Sequence, residues 1–189
     1  MTASAFTLSV VLTEGDVAEL TTIKDLLEEE IKDLYSAEKQ LTKALPKLAK
    51  GANNAELVKA IEDHLMETEE QATRLERAAK ALRMTPAGKK CAGMEGLIEE
   101  GAEVLSKHGQ ETVQDLAIIG AAARVEHYEI AAYMTAIALA EQIEEQEVIK
   151  ALNESLEEEQ AAEKKLRSLA KMIIKAAPAV QEKKRRASA

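Results

Sequence analysis

Glu38, His64, Glu67, Glu126, Glu129 and Glu159 fall on or beside otherwise apolar stripes of long helical segments. A lone carboxylate moved into a dry helical core costs several kcal/mol, so carboxylates converging from different helices point to cations held between them. Carboxylate and imidazole donors suit hard or borderline ions such as iron and manganese. Two such ions need several chelating and bridging carboxylates to offset their charge, and the expectation is therefore a carboxylate-rich site for two ions per subunit.

Positioning those donors requires long helices, and the hydrophobic spacing supplies four. From about Ala18 to Lys50, Leu27, Ile31, Leu34, Glu38, Leu41, Leu45 and Leu48 alternate steps of four and three, which places them on one face. Glu38 is the one polar member of that series. Pro46 should kink the last turn, and Gly51, Asn53 and Asn54 supply a stop and the next N-cap. A second helix is expected from Asn54 to Arg83, with Leu57, Ile61, Leu65, Thr68, Ala72, Leu75, Ala79 and Leu82 on its stripe and His64, Glu67 and Gln71 along its edge. Thr85, Pro86, Ala87 and Gly88 break the pattern. A connection carrying a short helix follows, with Leu97, Ile98, Val104 and Leu105 at helical spacing.

The third long helix runs from about Gln110 to Gln142, with Leu116, Ile119, Ala123, Glu126, Ile130, Tyr133 and Ile137 on one stripe. The fourth, Glu145 to Ala177, carries Ile149, Leu152, Leu156, Glu159, Glu163, Leu166 and Ala170. Two hairpin-like halves joined by a longer middle connection describe an all-α four-helix bundle with a crossover. Residues 1–18 stand apart from residues 19–177: Phe6, Leu8, Val10 and Leu12 alternate with period two, as in a short strand, an arm on a neighbour or an unordered terminus. Residues 178–189 form a basic tail.

Composition agrees with helices packed through small and aliphatic side chains. Hydrophobic residues make up 46% of the 189 residues, but aromatics only 2%, with no Trp. The formal charge of -9 argues against broad phosphate binding. Lys183, Lys184, Arg185 and Arg186 are read as a solvated terminus, so no nucleic-acid partner is expected. One cysteine, Cys91, leaves no disulfide framework, and no basic stretch after Met1 opens a secretory signal, so the cytoplasm is the expected place. No apolar run approaches the roughly 18 to 20 residues that span a bilayer.

In ferritin-like di-metal bundles, two helices each give one Glu and two give Glu-x-x-His. Here Glu126 and Glu129 form Glu-x-x-Glu, His64-x-x-Glu67 reverses the order, and Ala162 stands where a His would follow Glu159; Glu-x-x-His occurs nowhere. The segments TIKDLLEEEIKDLYSAEKQL, HLMETEEQATRLE, KCAGMEGLIEEG, ARVEHYEIAAY and LEEEQAAEKKL, spread over residues 22–166, resemble the YciE/YciF-type stress-protein family of the ferritin-like superfamily. The resemblance implies a bundle similar to rubrerythrin and ferritin, a homodimer, a link to bacterial stress responses and no established catalytic activity. Carried over by position, it makes Glu38 the first-helix ligand, Glu67 the second-helix carboxylate, Glu126 and Glu129 the third-helix pair and Glu159 the fourth-helix ligand. His64 departs from the pattern, either as a nitrogen donor replacing the missing histidines or as a hydrogen-bonded structural residue.

Around that set, Tyr35, Gln71 and Glu163 are candidates to support the ligands. Tyr128 and Tyr133 are expected to fill core or interface, and Cys91 to pack as a small apolar residue. His127 follows Glu126 by about 100° around the helix and should face solvent or a neighbouring subunit. The stripe through Leu97, Ile98, Val104 and Leu105 exceeds what one bundle core needs, a second reason to expect a dimer. Two functions are compatible with these residues. One is a stress-response protein whose di-iron or di-manganese centre reacts with oxygen or peroxide; the other is a bundle that kept the fold without catalysis, as a structural or interaction protein.

Overall fold

The computed structural model describes residues 20–107 and 109–177. The expected arm at residues 1–18 and the basic tail at residues 178–189 lie outside the described residues. Within them are five helices: α1 (Ile23–Gly51), α2 (Ala55–Ala81), α3 (Ala92–Ser106), α4 (Glu111–Gln142) and α5 (Gln146–Ala176).

Local chemistry sets the helix ends. Thr22 caps α1 reciprocally with Asp25, so the helix begins at Ile23 rather than near Ala18. It continues through Pro46 to Gly51. The Asn54 side chain accepts from the amides of Glu56 and Leu57 to start α2. At the far end of α2, Arg83 takes a left-handed φ of 61° and the Met84 amide bonds back to the Ala79 carbonyl. Glu144 repeats this after α4, with φ 60° and the Glu145 amide on the Ala140 carbonyl, so non-glycine residues stop both helices in a glycine-type cap. Asp115, buried near the start of α4, accepts from the amides of Asn53 at 2.7 Å and Asn54 at 3.0 Å. It ties that helix to the α1–α2 turn.

Two apolar clusters fix the topology. One gathers Leu41 and Leu45 of α1, Leu57 and Ile61 of α2, Ile118 and Val125 of α4, and Leu166 and Ile173 of α5. The other gathers Leu27 and Leu34, Leu75 and Leu82, Tyr133 and Ala140, and Val148 and Leu152. Passing between clusters in opposite senses, α1 is antiparallel to α2 and α4 to α5. Because α2 ends beside one cluster and α4 begins beside the other, the connection must run the length of the bundle, and α3 lies along α1 and α4 as it does so. This is a four-helix bundle with one crossover carrying a short extra helix.

Leu97, Ile98, Val104 and Leu105 pack within the chain against the first cluster, so the apolar surplus of α3 is met by α1 and α4. The buried face of α4 is also wider than one stripe. Ile118, Ala121, Ala122, Val125 and Glu129 are buried on it, while Leu116 is partly exposed, because α1, α3 and α5 all pack against this helix. Among the described residues no helix is long and apolar enough to cross a membrane.

A candidate carboxylate metal centre between two cores

A polar layer separates the two apolar clusters. Glu38 of α1, His64, Thr68 and Gln71 of α2, Glu126 and Glu129 of α4, and Ser155 and Glu159 of α5 are all buried. On the four-and-three spacing these residues occupy positions that apolar side chains fill one turn away on the same helices, which is why the bundle aims them inward.

His64, Glu126, Glu129 and Glu159 each offer a donor atom, and these atoms lie within 4.8 Å of one another. His64 Nε2 is 3.5 Å from Glu126 Oε1 and 3.8 Å from Glu159 Oε2. Its Nδ1 lies 3.3 Å from Glu67 Oε2. With Nδ1–H donating to that carboxylate, the Nε2 lone pair turns toward the cluster, a tautomer assigned from the partners. Glu38 lies outside the 4.8 Å group, with Oε1 accepting from the Tyr133 hydroxyl at 2.5 Å. Gln71 Nε2 donates to Glu159 Oε1 at 2.5 Å and to Glu158 Oε2 at 3.1 Å. Arg74 in turn grips Glu158 through two contacts of 2.6 Å.

Buried acceptors are normally paired, yet Glu38 Oε2, His64 Nε2, Glu126 Oε2, both Glu129 oxygens and Glu159 Oε2 have no hydrogen-bond partner. Burial pushes the carboxyls of Glu38, Glu126 and Glu129 well above the usual range. Repulsion from Glu159 adds to this for Glu38 and Glu126, and repulsion from Glu38 does so for Glu129. Burial alone would lower the His64 imidazole, but the Glu67 hydrogen bond and the charge of Glu159 outweigh it and the net shift is upward. The donor set fits a cation on chemical grounds: unpartnered oxygens, one nitrogen, and charge that burial disfavours unless something neutralises it.

Not every residue singled out in the sequence joins this group. Glu67, expected as a ligand, is half-exposed and stands outside the group of four, touching the far nitrogen of His64. Tyr35, expected beside Glu38, donates to Glu76 at the surface. The phenol that reaches Glu38 is Tyr133, from the opposite helix. The signal for it was there, since Tyr133 follows Glu129 by four residues on the same face. Glu163 pairs with Arg167 and stands 3.9 Å from the exposed His127, away from the polar layer. Gln71 and His64, placed on the edge of the α2 stripe by their spacing, are fully part of its buried face, because α1 and α5 both pack on that helix. The supporting pair Arg74 and Glu158 was not foreseen; nothing in one sequence distinguishes it from the many surface charge pairs.

A bundle with one crossover and a carboxylate and imidazole layer between its helices belongs to the ferritin-like class of architecture. The chain belongs to the family described as Domain of unknown function (DUF892), which matches residues 22–179. It is 45% identical over 152 residues to Protein YciF of Escherichia coli (strain K12), covering 80% of this chain and 92% of that protein. The crystal structure of the E. coli stress protein YciF matches with a TM-score of 0.81 at 43% identity, over 84% of this chain and 100% of that one. A structure of YcfI from Rhodopseudomonas palustris, a protein provisionally described as structural, matches with a TM-score of 0.78 at 40% identity, over 82% and 98%. The family read from the helical motifs is thus the family to which the chain belongs.

Proposed function

We propose that this protein serves bacterial stress protection and that its polar layer holds two divalent cations, iron or manganese, in each subunit. The observation that carries the reading is the set of four buried carboxylates, Glu38, Glu126, Glu129 and Glu159, each with an unpartnered oxygen. Four ionised carboxylates balance the charge of two divalent ions, whereas a single ion would leave two negative charges buried without a counterpart. Glu126, Glu129, Glu159 and His64 Nε2 would supply ligands at the centre, and Glu38 would join through its free Oε2. Bound there, such ions supply redox chemistry toward dioxygen or peroxide.

The protein's own groups prepare and expose the centre. Glu67 fixes the His64 tautomer, Gln71 holds one oxygen of Glu159 and turns the other inward, and the Tyr133 hydroxyl does the same for Glu38. A cleft of about 480 Å³ between α2 and α5 reaches His64 and Glu126, with Ala161 and Ala162 on its wall. Ala162, at the position where a ferritin-like pattern would carry histidine, leaves room for a small reactant to enter. The link to stress rests on the kinship with YciF, and a cytoplasmic homodimer belongs to the same reading.

The test is metal analysis of protein purified without chelator, beside Glu38→Ala and Glu126→Ala. About two ions per chain are expected in the parent, with a sharp fall in each variant and the helical content retained. Unchanged stoichiometry in both variants would sink the assignment. A second reading, a bundle without catalysis, is favoured by the single imidazole in the buried group, where ferritin-like di-metal sites carry two. Protein that carries no metal, and whose melting temperature Fe(II) and Mn(II) leave unmoved, would select that reading.

A further inference from the structure

The three-helix junction of α1, α3 and α4 is tightly packed at both ends of α3 and open in the middle. At one end the Gly93 backbone abuts the Tyr128 ring so closely that a Cβ there would lie 2.8 Å from Tyr128 Cε2. At the other, a Cβ on Gly51 would lie 2.3 Å from Leu105 Cδ2. Between these clamps the facing positions are small: Ala44 on α1, Gly101 and Ala102 on α3, and Ala121 and Ala122 on α4. The result is a cavity of about 340 Å³, walled mainly by Leu, Ile and Ala side chains. Such a volume lies within the range of sites for small ligands, and larger side chains at the small positions would have closed it.

The chemistry along the cavity is graded. Its inner end reaches Glu126, the buried carboxylate with an unpartnered oxygen that also faces the α2/α5 cleft. Its outer rim carries Lys43 and Lys47, exposed one turn apart on α1 and without an ion pair among the described residues. Glu95 and Glu99 of α3 stand on the opposite rim, and Glu95 is engaged by Lys90. Along α1 the lining runs from Gln40 to Leu48, roughly 12 Å of helix, enough for an extended chain of about nine carbons.

We propose that this cavity binds an amphiphilic carboxylate of medium chain length, its hydrocarbon chain under α3 and its carboxylate at Lys43 and Lys47. The largely apolar walls disfavour a sugar or nucleotide, and the two unpaired ammonium groups, set against the single unpaired carboxylate of Glu99, select an anionic head over a cationic one. Binding of this kind needs no metal, so it stands or falls apart from the reading of the polar layer. With metal present, it would bring the end of an alkyl chain beside Glu126.

Isothermal titration of the metal-free full chain with decanoate, decan-1-ol and decyltrimethylammonium tests the proposal. Decanoate is expected to bind at least tenfold more tightly than decyltrimethylammonium. Ala121→Leu and Ala44→Leu, which fill the cavity from different helices, should each weaken decanoate at least tenfold, so that one informative variant remains if the other folds poorly. Lys43→Glu combined with Lys47→Glu should weaken decanoate at least tenfold and leave decan-1-ol within about twofold. Absence of decanoate binding, equal affinity for both charged amphiphiles, or unchanged affinity in the filled variants would overturn it.

Discussion

At the scale of single residues, the polar layer crowds buried acidic groups at a cost to stability. The folded-state pKa values of Glu38, Glu126 and Glu129 are raised by burial and by repulsion, and that of His64 is raised by its acidic neighbours. Groups of this kind bind protons more tightly folded than unfolded. Their contribution is present in full below the unfolded values, near 4.5 for Glu and 6.5 for His, and is lost as pH rises through the folded values. Metal-free protein is therefore expected to melt at a higher temperature at pH 5 than at pH 8. That window lies above the titration of Asp33 and Glu29, whose lowered pKa values act in the opposite sense. A melting temperature that is flat or climbs from pH 5 to 8 would contradict the charge crowding. Glu129→Gln removes one crowded charge from a side chain with no hydrogen-bond partner, so it should raise the melting temperature of metal-free protein while lowering metal content. A destabilised Gln variant would show that the carboxylate is held by contacts other than a cation.

At the scale of elements, the layer is only as well placed as the helices that carry it. Asp115 is the main tie between the start of α4 and the α1–α2 turn, and Asp115→Ala would strand the amides of Asn53 and Asn54. Hydrogen bonds to charged groups contribute about 1.5–3 kcal/mol each, and losing both should cost on the order of 3 kcal/mol in denaturant unfolding. A loss below 0.5 kcal/mol would mean that water replaces the carboxylate at no expense. The crossover is seated by close contact as well as by the pairing of Lys89 with Glu29 and Asp33. Gly93→Ala forces a methyl group against the Tyr128 ring, whose hydroxyl donates to Asp33 at 2.6 Å and lies 2.9 Å from Cys91 Sγ. That variant should lose about 1–3 kcal/mol and free the N-terminal end of α3 to hydrogen exchange, with α5 unaffected.

At the scale of the whole molecule, α3 shields only part of the α1/α4 face. Beyond it, Ile23 and Met134 are 43% and 56% exposed beside Leu139. A second copy of the chain laid on this strip would cover it, and light scattering is expected to return about twice the 20.6 kDa chain mass. Met134→Glu should shift the population to monomer without loss of helix. A parent protein that is monomeric at micromolar concentration would remove the dimer from the proposed function.

The sequence by itself determined the helices, their order and the crossover, because a stripe alternating four and three residues admits one buried face per helix. Gly51, Asn54 and Pro86 then mark breaks that local chemistry enforces. It also exposed Glu38, Glu126 and Glu159, each a charge where the pattern demands a hydrocarbon. Tertiary structure alone decided which edge residues turn inward. His64 and Gln71 became buried because α2 is covered by two helices, whereas Glu67, three residues from His64, stayed half in water and took the other imidazole nitrogen. Tyr35 and Tyr133 each lie within a turn of a candidate carboxylate, Tyr133 on its stripe and Tyr35 beside one, and only the packing of α1 against α4 sent Tyr133 to Glu38 and left Tyr35 with Glu76. Periodicity reports the angle of a side chain about its own helix axis. Which helix lies at that angle, and how closely, is set by the packing of all of them together.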